Sequence, residues 1–234
     1  MRILAIGAHP DDIELACCGT LAKCVKRGDT VIVCHVSSGS LGHVVIPPEE
    51  LRLIRANEAK KAGALAGVHE VLCAGFDDLE IFDTKAARDK IVDIIKYANP
   101  DVIITHDPND YMPDHTTVSK LVFDASFTAT LPNYKSKYKQ PAKMVPLYYM
   151  DTLAGVNFNP TEYVDISEEI DLKLQMLACH ESQVAWMCEH DGIDFADMVK
   201  TMSRFRGYQC GVAYAEAFRQ CQTYLKGTTK RLLP

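Results

Sequence analysis

The 234 residues include 25 Lys and Arg against 31 Asp and Glu, a net charge of −6, and 47% are hydrophobic. Such a chain suits one α/β domain and is long enough to bury a core without metal or disulfide staples. Nucleic acid is not an expected partner, because an acidic chain lacks the basic stripe that phosphate backbones need; nor is a membrane, because no uncharged apolar run approaches the ~20 residues of a span.

Arg2-Ile3-Leu4-Ala5-Ile6 opens the chain as a buried strand ending at Gly7. No leader-like segment comes before it, so a cytoplasmic location is expected. A helix is predicted from about Ile13 to Lys26, stopped by Gly28. Thr30–Val36 is a second continuous apolar run, the pattern of a parallel strand buried on both faces. Ser37–Pro48 reads as a polar loop, and Pro47-Pro48-Glu49-Glu50 opens a long helix to about Ala66. The pattern then predicts a strand over His69–Cys73, a helix over Thr84–Tyr97, a strand over Asp101–Thr105, a loop over His106–Pro113 and a helix over Asp114–Thr128. Further along, Pro146–Met150 reads as a strand and Ser167–Ser182 as a helix capped by Ser167. Asp194–Phe205 and Val212–Phe218 read as helices. This alternation predicts a doubly wound, mostly parallel sheet in three α/β/α layers. Residues 1–234 are expected to form a single domain with a C-terminal helical subregion over about 167–234. The nine cysteines include no CxxC pair and are expected to be reduced packing residues, Cys73 among them.

Two polar clusters stand out. His9-Pro10-Asp11-Asp12 follows the first strand, and the segment from His106 to His115 follows the fourth. In a sheet ordered 3-2-1-4-5 those strands are neighbours, and the crevice between their carboxyl ends is where such sheets bind ligands. His9, Asp12 and His115 would bring two imidazoles and a carboxylate there. Three such donors with a fourth position open form the catalytic zinc arrangement, although iron(II) and other first-row divalent ions suit the same donors. Asp11 would lie beside the metal's water, placed to take its proton. Pro10 fixes one backbone angle and helps the two aspartates diverge. The same segments also read as ordinary helix starts, with Asp11 or Asp12 capping the first helix and Asp114 the later one. No GxGxxG or P-loop supports nucleotide binding.

Ala8-His9-Pro10-Asp11-Asp12, Cys18-Gly19-Thr20 and Pro113-Asp114-His115 together resemble the PIG-L/LmbE family. The likeness extends over about residues 2–185. It includes Gly28-Asp29-Thr30-Val31, Ser37-Ser38-Gly39, Arg55 with Glu58, Gly63-Ala64, Asp78 and His180-Glu181-Ser182-Gln183. The resemblance implies a Rossmann-like, LmbE-like fold and a zinc-dependent N-acetylglucosaminyl de-N-acetylase or related amidase. It implies a small N-acylated amino sugar as substrate and a homo-oligomer. His9, Asp12 and His115 would bind zinc, and Asp11 would be the general base. One departure is Met112. Many family members have a histidine at that position, and a thioether is only a weak acceptor. Tyr111 and His106 are the nearest substitutes, while Asp114, that histidine's usual partner, keeps either a site role or a capping one. Arg55 and Asp78 are candidates for the substrate rim, and His180 is a candidate to approach the metal site. Their plainer readings are a surface ion pair of Arg55 with Glu58, a solvated loop, and a histidine at a helix C-terminus. Two other activities fit the same residues: an amidase on thiol–sugar conjugates or antibiotic-like amides, and a metal- or sugar-binding module with little catalysis because of Met112.

Overall fold

The computed structural model describes residues 1–234. Strands β1 (Arg2–Gly7), β2 (Thr30–Ser37), β3 (Glu70–Phe76), β4 (Val102–Thr105) and β5 (Leu147–Met150) pair in parallel. Two more strands, β6 (Glu162–Asp165) and β7 (Ala215–Gln220), complete a sheet ordered β3-β2-β1-β4-β5-β7-β6, with β7 antiparallel to both neighbours. The helices are α1 (Asp12–Ala16), α2 (Cys18–Lys26), α3 (Pro48–Leu65), α4 (Lys85–Ala98), α5 (Pro113–Thr128), α6 (Ile170–Ala178), α7 (Glu181–Asp191) and α8 (Phe195–Cys210). None of them is long and apolar enough to cross a membrane.

The layers follow from the two-residue repeat of a strand. In β1, Leu4 and Ile6 join Ile91 and Ile95 of α4 and Val118 and Leu121 of α5 in one core. Ile3 and Ala5 face the opposite way, into a second core with Ile13, Leu21 of α2, and Ile170 and Met176 of α6. This is why the β1 and β2 runs are apolar without alternation: both faces are covered. The ends of α4 obey local chemistry. Thr84 Oγ1 accepts from Ala87 N at 3.2 Å, and Asn99, with φ of 42°, closes the helix in the left-handed region.

Four elements depart from the sequence reading. The expected helix over 13–26 breaks at Cys17, whose φ is −147°. The Glu216 carboxylate accepts the amides of Gly19 and Thr20 at 2.9 and 2.7 Å, which anchors α2 as a separate helix. The helix expected over Ser167–Ser182 covers only Ile170–Ala178, and His180 (φ −84°, ψ 56°) separates it from α7. Ser167 does not cap it, because its hydroxyl donates to Asp165 Oδ1 at 2.6 Å. Val212–Phe218, expected as a helix, contributes to β7: pairing with β5 and β6 on both sides outweighs the local propensity of an Ala- and Glu-containing run. Finally, α8 continues past Phe205 to Cys210, where Gly211 (φ 80°) ends it. All nine cysteines are free, and Cys73 is exposed because β3 is an edge strand.

Candidate metal centre

Ile6 of β1 lies opposite Thr105 of β4, so the His9–Asp12 turn and the His106–His115 loop leave the sheet from one edge. Asp11 adopts φ of 135°, in a region that costs a side-chain-bearing residue about 1–3 kcal/mol. This unusual turn, more than Pro10, separates the two aspartates. Asp11 Oδ1 lies 3.2 Å from Arg55 Nη2. Asp12 turns to the histidines instead: its Oδ1 is 3.2 Å from His115 Nε2, its Oδ2 is 3.1 Å from His106 Nε2, and Oδ2 accepts the His9 amide at 2.6 Å.

His9, Asp12 and His115 each present one donor atom, all within 4.8 Å of one another. The other nitrogen of each histidine meets a carboxylate. His9 Nε2 is 3.0 Å from Asp114 Oδ2, and His115 Nδ1 is 3.1 Å from Asp110 Oδ2. Outer carboxylates of this kind orient the rings and raise their basicity toward a metal. His115 Nε2 is left buried with no hydrogen-bond partner. An orphaned buried nitrogen among two imidazoles and a carboxylate fits a divalent first-row cation.

The electrostatics agree with that fit. Burial opposes a charged His9, but the bonds to Asp114 and Asp12 prevail and push its pKa up to about 10. Burial opposes charge on His115 too, yet Asp12 and Asp110 raise it to about 9. The carboxylates thus demand positive charge at this point. Asp11 is pushed up to about 6 by burial, with Arg55 opposing and Asp12 adding. Burial and the neighbouring His115 hold His106 down near 4. His106 Nε2 lies 2.9 Å from Ala8 N and 3.1 Å from Asp12 Oδ2, and the ring stacks on His115 with centroids 3.9 Å apart.

The other candidates divide between the site and its frame. Arg55 and Glu58 are buried and do not pair with each other, so the surface ion pair is excluded. Arg55 donates to Gly39 O at 3.0 Å and to Pro10 O, while Glu58 accepts from Ser182 N and Oγ at 2.8 and 2.7 Å. Gly39 has φ of 70°, and a Cβ there would sit 2.5 Å from the Arg55 guanidinium; only glycine allows that close approach. Asp78 is buried and spends its oxygens on the amides of Gly39 and Leu41, at 2.8 and 2.9 Å. It shapes the loop beside Asp11. Asp114 also accepts from Leu79 N at 2.8 Å, so it links the segment after β3 to His9 and does not cap α5. His180 is fully buried, with Nε2 3.2 Å from Glu14 Oε2, behind the turn and outside the donor triad. Tyr111 is 68% exposed, its ring edge-on to His115 at 6.5 Å. Met112 is the residue before α5 and donates its amide to Asp110 Oδ1 at 3.1 Å. Sequence reasoning missed Asp110 and Glu14. The available signal was an aspartate in the loop before a candidate ligand histidine, the usual source of an outer carboxylate.

Residues 4–126 match the family model described as PIG-L, GlcNAc-PI de-N-acetylase. A diacetylchitobiose deacetylase of Thermococcus kodakarensis is 27% identical over 230 residues, covering 93% of this chain and 82% of that protein. The uncharacterized deacetylase YaiS of Escherichia coli is 30% identical over 193 residues, covering 77% and 90%. Among solved structures, the N,N'-diacetylchitobiose deacetylase of Pyrococcus horikoshii, bound to an inhibitor, superposes with a TM-score of 0.82 at 25% identity. It covers 94% of this chain and 83% of that one.

Proposed function

The chain belongs to the PIG-L family, and on that footing we propose that it is a metal-dependent hydrolase removing the acetyl group from an N-acetylated amino sugar. The observation that carries this reading is a His–Asp–His donor triad beside a second carboxylate, Asp11, that the turn directs elsewhere. The names of the Thermococcus and Pyrococcus relatives support an acetylated sugar as the substrate class.

His9, Asp12 and His115 would hold the ion, with zinc the first choice. When bound, such an ion polarises an amide carbonyl and lowers the pKa of a water. The remaining roles fall to the chain's own side chains. Asp11, raised to about 6, is matched to accept a proton from the attacking water near neutral pH and return it to the leaving amine. Arg55 meets Oδ1 of Asp11, and no protein group hydrogen-bonds Oδ2, the atom left for the proton. His106 is the substitute donor for the imidazole missing at Met112. It is buried beside the triad and no protein group hydrogen-bonds its Nδ1, the atom left to donate, whereas Tyr111 stands in solvent. A preorganised donor of that kind stabilises negative charge developing on the carbonyl oxygen.

The test is zinc-reconstituted protein assayed for amine release across N-acetylated amino sugars, beside Asp11→Asn. Wild type should release amine. The variant should retain its zinc and lose about 10²–10⁴-fold in turnover, the usual worth of general acid–base catalysis. Full activity in Asp11→Asn removes the base assignment, and a zinc-loaded wild type that releases no amine from any of these sugars removes the reaction.

A further inference from the structure

A cavity of about 270 Å³ opens between α3 and the edge strand β3. Pro10 lines it, whereas the donor triad, Asp11 and Arg55 do not. Arg52, Ala56, Ala59 and Lys60 fall on one face of α3, and Val71 and Cys73 are alternate residues on one face of β3. Ala56 and Ala59 are too small to close the space between helix and strand.

Two buried polar atoms of its lining residues have no partner. His35 is 2% exposed and its Nδ1 meets no hydrogen-bonding group; nor does Nε of Arg52. Buried polar atoms left unpaired are costly, and a ligand that pairs them recovers that cost. Charge decides the kind of ligand. Arg52 Nη2 donates to Asp77 Oδ1 at 3.0 Å, so that guanidinium is balanced. Burial holds His35 down to about 4, so its ring is neutral at neutral pH. Lys60 is exposed and enters no ion pair. One uncompensated positive charge beside alanine and valine suits a singly charged carboxylate with a carbon body better than a doubly charged phosphate.

We propose that this cavity is a second binding site, separate from the metal centre, for a small hydroxycarboxylate: the carboxylate accepts from Arg52 Nε and faces Lys60, and the hydroxyl meets His35 Nδ1. A hydroxyl both donates and accepts, so it satisfies that nitrogen in either tautomer of the ring. The occupant touches Pro10, the residue before Asp11. The site holds its ligand without turning it over and is independent of the deacetylation proposed above.

The experiment titrates the zinc-loaded full chain with glycolate, acetate and inorganic phosphate at constant ionic strength. Two readouts are local to the cavity, so ligand taken up at the metal does not count: the methyl resonances of Ala56, Ala59 and Val71, and the rate at which iodoacetamide alkylates Cys73. The exposed Cys188 and Cys210 serve as controls. Glycolate should shift the methyls saturably. At ten times its half-saturating concentration it should slow Cys73 about 10-fold, the free fraction left by mass action, without slowing the control thiols. Acetate, which lacks the hydroxyl, should need at least about 3-fold more to half-saturate, and phosphate more again. Arg52→Gln should weaken glycolate at least about 10-fold, and His35→Leu should erase the difference between glycolate and acetate. Should His35→Leu fail to fold, that difference in wild type decides the role of the hydroxyl; should Cys73 resist alkylation, the methyls decide alone. No saturable methyl shift, a glycolate titration that Arg52→Gln leaves unchanged, glycolate no tighter than acetate, or phosphate tighter than both overturns the assignment, as does equal slowing of all three cysteines.

Discussion

Asp110 and Asp114 show how much of this centre lies outside its donor atoms. Each carboxylate holds the outer nitrogen of one histidine, and together with Asp11 and Asp12 they make a pocket that draws protons when it has no cation. Removing such an outer partner typically lowers metal affinity about 10–100-fold. Asp110→Asn should do so, measured by competition with a chelator, and unchanged affinity would remove Asp110 from the centre. The pH dependence follows with a definite sign. His9 and His115, near 10 and 9, have pKa values above those of an unfolded histidine. Their contribution to metal-free stability is complete below about 6.5 and is lost as pH rises toward 9 and 10. A divalent cation held by those nitrogens would have to displace the same protons, so its binding should strengthen as pH rises. The Tm difference between loaded and metal-free protein should therefore widen from pH 6.5 to 9, and a constant difference would contradict the assignment. At this scale the sequence foresaw by residue type that His9, Asp12 and His115 meet, and their donor atoms lie within 4.8 Å of one another. It was not legible at Arg55, Asp78 or His180, whose partners (Asp11, Gly39 with Leu41, and Glu14) lie from 37 to 166 positions away.

Among the elements, the join between α1 and α2 depends on a buried pair from the distant end of the chain. Glu216 of β7 accepts the first-turn amides of α2 and the Lys173 ammonium of α6. Lys173→Met would leave the Glu216 carboxylate buried without its cation. The expected loss is about 3–5 kcal/mol, read as a lower urea midpoint at unchanged slope. A midpoint within error of wild type would mean that the two amides alone suffice for Glu216. Lys173 has its pKa raised by Glu216 although burial works the other way. The pair's contribution is therefore complete below the ordinary lysine pKa and fades only as pH rises through the higher folded value. This pair also explains the misread helix. The apolar periodicity from Ile13 to Lys26 is continuous, and nothing within that segment announces that a carboxylate some 200 positions later takes the amides of Gly19 and Thr20. The β1, β2 and β4 runs were legible because a strand covered on both faces needs only local apolarity.

Over the whole molecule, the C-terminal strand completes the sheet that carries the site. β7 lies between β5 and β6, with Phe218 paired to both Met150 and Glu162. Truncation after Tyr214 removes that strand, unpairs both neighbours and deletes Glu216. The shortened chain should lose its cooperative thermal transition, followed by circular dichroism; a transition near the wild-type Tm would show that the first five strands fold without it. The sequence by itself determined the parallel β/α frame and the delivery of two polar loops to one sheet edge. Both depend on short-range patterning, on strand order and on side chains whose chemistry is intrinsic. The tertiary structure alone decided that Arg55 is the group Asp11 meets, where the spare carboxylates hold the rings, and that the last strand enters the sheet in place of a helix. Those outcomes depend on Coulomb forces, hydrogen-bond geometry and backbone pairing, which act over a few ångströms in space whatever the separation along the chain.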